Sequence, residues 1–434
     1  MRQRLHLSAV AVFLTHLSVF PALAQEEDEI DLSQIMKAAE KKSLSGGGFL
    51  EFQPSLIGLN QDSFFYQLNF GDQGPKTVGQ YDFRVRLEGS YEKRTVGLYF
   101  TGDGLMRKGF QGWDGRARMF EGYLSLRLTP RFTLDAGKKT TKWGKGYAWN
   151  PVAFVDRPKD PDDPLEALEG FYVVSADITR SFQGPLKTLA FTPVLVPVLE
   201  NLNSSFGKPG HLNLAGKVYF LLWDTDIDFL FLTGESRTTR YGVDFSRNLM
   251  SNLEVHAEWA WLTDLERIEI GQDDQISTTV SDEMRALAGL RYLTASETNF
   301  IIEYYHNGAG IGQREAEAFF SQAKSPSAVP GSGKGNSADA VFLPRLALPN
   351  PMRDYLYFRA SQKEPFDILY FTPEFTSIFN LDDGSFQLIP GFAYSPLTNL
   401  QLRLRGIFLV GAEHTEFGEK QSNYRVELRV RYFF

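Results

Sequence analysis

The chain of 434 residues contains no cysteine, so no disulfide bond contributes to its stability. Beyond residue 24 it also lacks any run of 18 or more apolar residues, the length that a membrane-spanning helix requires. The segment that comes nearest, "LAFTPVLVPVLENLN", is interrupted by two prolines. The formal net charge of −8 gives no reason to expect a nucleic-acid partner. These absences argue against a disulfide-stabilised domain, a helical membrane protein and a nucleic-acid-binding protein.

Motifs for enzymatic chemistry are equally scarce. No G-x-S-x-G sequence marks a hydrolase nucleophile. The stretch "GSGKGNS" at 331–337 lacks the first glycine of a phosphate-binding loop and has Gly335 where serine or threonine should follow Lys334. The histidines beyond residue 24 do not have metal-site spacing; they are His211, His256, His306 and His414. We therefore predict no catalytic residue, no metal site and no cofactor.

The N-terminal region has the features of a secretory signal peptide. A basic start, "MRQR", is followed by an apolar run and by "PALA", which predicts a signal peptide over 1–24 with cleavage near Ala24. Residues 25–47 then form a predicted periplasmic segment. It is either a short helix with an apolar face or a frayed acidic tail. A periplasmic partner could dock on this segment at 26–43.

From residue 48 onward the apolar residues recur with period 2. In "YDFRVRLEGSY", at 81–91, large apolar and charged residues alternate, as the two faces of a β-strand require. About 18 such segments occur, and a length of roughly ten residues suits a tilted strand that crosses a bilayer. The predicted strands are 48–58, 79–92, 94–104, 115–128, 130–141, 170–181, 185–196, 211–222, 225–233, 237–247, 252–262, 283–295, 297–307, 352–362, 366–378, 384–396, 398–411 and 423–434.

The connections between these segments alternate between short and long. Tight turns such as "YEKRT" and "LTPRF" alternate with connections that include seven long ones: 59–78, 104–114, 142–169, 197–210, 263–282, 308–351 and 412–422. This sorting is typical of an outer-membrane barrel, with short turns in the periplasm and long loops outside. The sequence therefore predicts an all-β fold, a transmembrane antiparallel up-and-down β-barrel over 48–434.

The last strand, "NYRVELRVRYFF", ends on Phe434 with its charges on one face and its large apolar groups on the other. By itself this alternation also fits an edge strand of a soluble protein. In pattern, nearly the whole chain beyond residue 24 resembles Gram-negative outer-membrane β-barrel proteins, whose last strand commonly ends on phenylalanine. The resemblance implies that Tyr432 and Phe434 are read by the barrel-assembly machinery. It also implies contact with outer-membrane lipid and lipopolysaccharide.

The segment "GKKTTKWGKGYAWNPVAFVDRPKDPDDP", at 137–164, begins on the fifth predicted strand and fills the third long loop. In general porins this loop folds into the lumen and narrows it. The prolines stiffen the segment, and its aromatic residues suit packing against the wall. We predict a constriction loop, although an exposed loop with interfacial aromatics is the alternative. Its candidate residues are Trp143, Trp149, Asp156, Arg157, Lys159, Asp160, Asp162 and Asp163.

Arginines form a second group of candidate residues. Barrel closure makes the last two and the first two strands neighbours, and their lumen faces then carry one basic wall. It comprises Arg84, Arg86, Arg403, Arg405, Arg425, Arg429 and Arg431. A positive strip along a water-filled path favours anionic solutes. Alternatively, the interspersed carboxylates pair with the arginines and keep the lumen polar.

Three functions fit this sequence. The first is an outer-membrane porin for small hydrophilic solutes, with a possible preference for anions. The second is an export conduit for an anionic polymer, because strand number and the arginine-rich wall make the chain similar in layout to the alginate-export porin family. The third is a structural sheath around a partner protein such as an electron carrier. An inward loop that narrows the lumen favours the first function, and a wide lumen favours the third.

Overall fold

A computed structural model describes residues 43–270, 276–323, 346, 348 and 350–434. The predicted signal peptide and the possible helix near residue 35 lie outside these residues. So do the glycine-rich stretch at 331–337 and most of the segment where a periplasmic partner was predicted to dock.

Eighteen antiparallel strands form one closed barrel, as the sequence predicts. Each strand pairs with its neighbours in the chain, and β1 pairs with both β2 and β18, which closes the sheet. The strands are β1 (Leu44–Leu59), β2 (Thr77–Lys93), β3 (Val96–Gly109), β4 (Gly112–Thr129), β5 (Phe132–Lys139), β6 (Phe171–Ser181), β7 (Leu186–Val198), β8 (His211–Leu222), β9 (Thr225–Thr233), β10 (Arg240–Met250), β11 (Leu253–Ile270), β12 (Ile276–Leu293), β13 (Thr298–Asn307), β14 (Asp354–Gln362), β15 (Phe371–Asn380), β16 (Phe386–Leu397), β17 (Leu400–Val410) and β18 (Ser422–Phe433). Every predicted segment overlaps one of them, although the predicted 366–378 begins five residues before β15.

The alternation of side chains has the predicted direction. On β2, Phe83 and Leu87 are exposed on the outside of the barrel, whereas Asp82 and Arg86 are buried on the inside. The same division holds on β18, where Leu428 is exposed and Glu427 is buried. The barrel thus has an apolar exterior and a polar interior, the arrangement that apolar surroundings outside and water inside would require.

Two of the predicted long loops are largely strand. β3 and β4 continue to Gly109 and Gly112, so only two residues connect them, and β11 and β12 extend far into 263–282. Charged residues and glycines in these regions resemble a loop in composition, yet the chain keeps its strand pairing there. The first strand is also longer than predicted, since β1 begins at Leu44, four residues before the predicted start at residue 48.

Two short α-helices lie in the long loops. Helix α1 (Phe64–Phe70) begins after Ser63, whose hydroxyl accepts a hydrogen bond from the Tyr66 amide as a helix N-cap. Helix α2 (Gln313–Ala323) lies in the loop between β13 and β14. Within the described part of the chain, no helix has the length and apolar character needed to cross a membrane.

The barrel interior contains two hydrophobic cores. The first joins inward residues of β12–β15 to α2, with Phe319 and Phe320 fully buried. The second lies against β6–β9 and β11, with Val194 and Leu232 among its buried residues. Among the described residues, β16–β18 and β1–β5 contribute no buried residue to either core. The candidate arginines lie on this second group of strands, although buried carboxylates also occur on β9–β13.

Candidate functional site

The connection between β5 and β6, residues 140–170, folds into the barrel and is called the inward loop below. Its two tryptophans are buried, Trp143 in the core against β6–β9 and Trp149 in the core against β12–β15. The Trp149 ring stacks on Tyr305 with ring centroids 5.1 Å apart. The tryptophans thus attach the base of the loop to two different parts of the barrel wall.

Two buried carboxylates hold the backbone of the inward loop. Glu258, on β11, accepts hydrogen bonds from the amides of Lys145 at 2.5 Å, Gly146 at 2.6 Å and Val152 at 3.2 Å. Glu303, on β13, accepts hydrogen bonds from the Tyr147 and Ala148 amides. Five amides of the stretch 145–152 are thereby satisfied by charged acceptors, which form stronger bonds than neutral ones.

Glycine is required at two positions of this anchor. Gly144 has φ +94°, and a Cβ there would lie 2.7 Å from a carboxylate oxygen of Glu258. On the intervening strand β12, a Cβ at Gly289 would lie 2.2 Å from Nε2 of His256. That space allows His256 Nε2 to approach Glu303 Oε1 at 2.8 Å. His256 therefore supports the anchor.

Three predicted constriction residues hold the loop together, and two of them, Asp156 and Lys159, also line a cavity beside the loop. Asp156 is buried and accepts bonds from the Thr141 and Trp143 amides at 2.7 and 3.0 Å. Arg157 donates to the Glu169 carbonyl, and the Lys159 ammonium donates to backbone carbonyls at the loop base. Asp156 thus serves as an acceptor for backbone amides within the loop. Buried amides without an acceptor would destabilise the loop, so a carboxylate that accepts their hydrogen bonds contributes more to stability than one that remains solvated.

The remaining acids of the loop face the arginines. Asp163 accepts hydrogen bonds from Arg403 and Arg429, each at 3.0 Å. The Asp162 carbonyl accepts a bond from Arg405 at 2.8 Å, and its carboxylate accepts one from Gln387 at 2.6 Å. Asp160 lines the adjacent cavity. The loop therefore extends across the lumen from the hydrophobic cores to the basic wall.

Neighbouring charges move the pKa values of these acids in opposite directions. Burial tends to raise the pKa of Asp163, but Arg405, Arg403 and Arg429 together hold it below its ordinary value. For Asp162, burial raises the pKa to about 6, and the Asp160 carboxylate adds to the rise. Asp163 is consequently an anion at neutral pH, while Asp162 titrates in mildly acidic solution.

The basic wall is contiguous and mostly paired. Arg405 donates to Glu427 at 2.7 Å, and Arg431 donates to Glu51 at 2.8 Å. The further pairs are Arg84 with Glu166, Arg86 with Asp103, Arg403 with Asp163 and Glu374, and Arg429 with Asp163. Arg425 forms no ion pair within 4 Å among the described residues. This pairing agrees with the alternative in which carboxylates offset the arginine charge.

Two cavities lie on opposite sides of the inward loop. One, of about 390 Å³, lies towards the long-loop end of the barrel and is lined by Asp160, Asp162, Lys420 and Arg425. The other, of about 590 Å³, lies towards the short-turn end, with Glu88 and Glu121 from the wall in its lining. Asp163, which pairs with the wall, lies in the chain between Asp162 in the first lining and Pro164 in the second.

Sequence reasoning did not identify the anchoring role of Glu258 and Glu303. Both alternate inward on their strands. Gly289 lies in register between His256 and Glu303, which is the signal that could have indicated a buried contact. Arg116 and Arg118, on β4, were also missed. Their side chains alternate inward on β4. In register they lie in line with Arg84 and Arg86 on β2, with one residue of β3 between each pair.

Solved structures share this fold. The chain aligns with OccAB1 of Acinetobacter baumannii at a TM-score of 0.54 and 11% identity, covering 91% of this chain and 97% of that one. It aligns with OccK5 (OpdH) of Pseudomonas aeruginosa at a TM-score of 0.51 and 10% identity, covering 90% and 98%. For OpdL of the same organism the TM-score is 0.51 and the identity 12%, with the same coverage. At such identity the likeness concerns the fold. No protein-family model matches the chain, and no curated protein matches it.

Proposed function

We propose that the protein is an outer-membrane channel for small hydrophilic solutes. The observation that carries the proposal is the inward loop, which crosses the lumen and confines the polar path to the basic wall. A loop that narrows a closed barrel while leaving polar cavities on both sides suits a selective pore. The likeness of fold to OccAB1 and OccK5 is consistent with this proposal.

The same observation argues against a structural sheath. A sheath needs an interior wide enough for a partner protein, whereas here two hydrophobic cores and the inward loop occupy much of the lumen. Export of an anionic polymer, the function suggested by the alginate-export layout, would require a passage that the contact of Asp163 with Arg403 and Arg429 now crosses. We therefore favour small solutes.

Liposome swelling tests this proposal. Liposomes containing the folded protein should swell in small sugars and amino acids and should swell much less in a long oligosaccharide, because the loop limits the solute size. Liposomes with heat-unfolded protein provide the control. Equal exclusion of all solutes would refute a channel.

An outer-membrane location is supported by the exterior of the barrel. Tyr424 and Tyr432, near the ends of the outward face of β18, suit the membrane–water interfaces, and Leu428 lies midway between them. The terminal residue contributes to closure, since the amide and carbonyl of Phe434 both bond to Gly48. This contact supports a role of Tyr432 and Phe434 in barrel assembly.

Replacing Leu428 by arginine tests the membrane location. At the bilayer midplane an arginine costs about 2–4 kcal/mol of folding free energy. Leu428→Arg should therefore lower the midpoint of urea unfolding in lipid vesicles, while Leu428→Phe, which keeps an apolar side chain, should not. Equal stabilities of the two variants would contradict a lipid-facing Leu428.

A preference for anions is the finer part of the proposal. Its support is Arg425, the wall arginine that has no ion pair within 4 Å among the described residues and that lines the cavity on the long-loop side. Arg425→Glu should shift the reversal potential in a potassium chloride gradient towards cation selectivity, because a fixed charge changes sign on the path. Arg425→Lys should keep the wild-type value. If both variants keep the wild-type reversal potential, Arg425 does not determine the anion selectivity.

A further inference from the structure

The exterior of the barrel has a furrow that crosses β18 and β1–β4. It encloses about 830 Å³ and is lined mainly by apolar side chains, with Phe52, Phe83 and Met106 among them. These three side chains belong to the outward faces of their strands and are exposed. The furrow therefore opens away from the lumen, on the surface that the proposed function places in lipid.

Small residues form the floor of the furrow. Gly104 on β3 pairs in register with Ala117 on β4, and Gly115 lies two residues before Ala117 on the same face. Neither glycine has a positive φ. The register shift between these two strands lies elsewhere, between Thr101 and Gly102. Neither a turn nor a bulge therefore explains the two glycines.

Space for a second molecule explains Gly115. A Cβ at this position would meet no atom closer than 4.0 Å, so the strand has room for a side chain there. Glycine inside a strand weakens it and often marks the close approach of another group. At Gly104 a Cβ would lie 3.1 Å from Cγ1 of Val85, so a side chain would crowd this neighbour as well as fill the furrow.

A cation lies at the long-loop end of the furrow. Lys108 follows Met106 by two residues on the same outward face of β3, and its ammonium lies 5.8 Å from the ring centroid of Trp113. The Trp113 ring in turn lies 6.3 Å from that of Phe83. Within the described part of the chain, no carboxylate lies within 4 Å of the Lys108 ammonium. An indole beside a free ammonium suits the membrane–water interface.

We propose that the furrow is a binding site for one lipid A molecule, with an acyl chain in the furrow and a phosphate group at Lys108. The long loops lie on the outer side of the membrane. The outer leaflet there consists of lipopolysaccharide, whose lipid A part carries phosphate groups. An anionic headgroup complements Lys108, and an acyl chain complements the apolar lining. The inference rests on the proposed membrane location, which the Leu428 variants test separately.

Close packing and the headgroup contact together provide the affinity. The membrane interior is as apolar as the furrow, so apolar burial alone gives no preference for a bound lipid. Gly115 and Ala117 allow an acyl chain to approach the backbone closely, which strengthens its dispersion contacts. Lys108 fixes the headgroup at one end of the same furrow. This combination distinguishes the site from the lipids that cover the rest of the barrel.

Native mass spectrometry of the detergent-solubilised barrel, titrated with diphosphoryl lipid A, tests the proposal. The wild-type barrel should retain one lipid A molecule. Gly115→Leu fills the furrow and should lower the affinity about tenfold, because the acyl chain loses its close contact. Ala288→Leu, at an exposed outward position of β12, is the matched control and should bind like wild type.

The headgroup contact has its own pair of variants. Lys108→Gln should lower the affinity about fivefold, because a lysine near the membrane surface attracts anionic lipid. Lys108→Arg keeps the cation and should stay near wild type. Phosphatidylglycerol, which has a single phosphate, should be retained less well than diphosphoryl lipid A. If Gly115→Leu does not fold, as judged by heat-modifiability, the Lys108 pair decides the outcome.

Four results would overturn the proposal. They are wild-type protein that retains no lipid A, equal affinity in Gly115→Leu and Ala288→Leu or in the two Lys108 variants, better retention of phosphatidylglycerol, and a wild-type oligomer that Gly115→Leu dissociates. The last result would mean that a second copy of the chain fills the furrow. Conductance measured in parallel reports on the channel itself, so the loss of the lipid site and the loss of the channel are distinguishable.

Discussion

Replacing residues 158–168 by a short Gly-Ser linker should raise the single-channel conductance severalfold. The replaced segment is the part of the inward loop that crosses to the basic wall. Its ends lie close together, since Arg157 Nε donates to the Glu169 carbonyl at 3.1 Å, so a short linker can join them. The base of the loop keeps its buried tryptophans and its carboxylate anchors. A wider path then remains in an intact barrel, and conductance follows its cross-section.

Planar-bilayer recordings in potassium chloride would measure this effect. The matched control is the double variant Asp163→Asn with Glu166→Gln. It keeps the backbone of residues 158–168, the tip of the loop, but removes the two carboxylates that pair with the wall. If the tip narrows the path mainly by its bulk, the control should have a smaller effect than the linker. A linker variant with wild-type conductance would show that the tip does not form the constriction.

The second large effect is expected when Glu258 and Glu303 are both replaced by alanine. Five buried loop amides would lose their acceptors, at a cost of about 1–3 kcal/mol for each amide left unpaired. The base of the loop should therefore detach from β11 and β13. The barrel itself should persist, because its strands pair through backbone bonds that neither side chain provides.

Limited trypsin digestion would detect the detachment. The double variant should be cleaved at Lys145 or Lys159, while the wild-type loop stays protected. Its conductance should be higher and noisier. A control at Glu254, an inward carboxylate of the same strand, should stay protected when replaced by alanine. Full protection of the double variant would mean that the tryptophans alone suffice to hold the loop.

The strands were predictable because each depends on local alternation. In a barrel every strand has one apolar and one polar face, so the period of 2 seen around Phe83 or Leu428 is sufficient to locate strands and their facing. Closure then made the first and last strands neighbours. It brought Arg84 on β2 near Arg429 on β18 without any further information.

The interior was less predictable because it depends on contacts between distant segments. The loop sequence at 137–164 indicated packing by its tryptophans, but which acids would bind its amides depended on β11, β13 and the space at Gly289. Asp156 illustrates the difficulty, since composition alone does not distinguish a solvated carboxylate from a buried acceptor. Helix α2 was missed for the same reason, because Phe319 and Phe320 are buried by contacts with segments that are distant in the chain, such as Phe64.

Single-channel recording of the wild-type protein in planar bilayers tests the central claim most directly. A channel confined between the tip of the inward loop and the basic wall should give small, discrete conductance steps. Its reversal potential in a potassium chloride gradient should indicate a preference for chloride. Folded, heat-modifiable protein that inserts into the bilayer without any conductance steps would contradict the account.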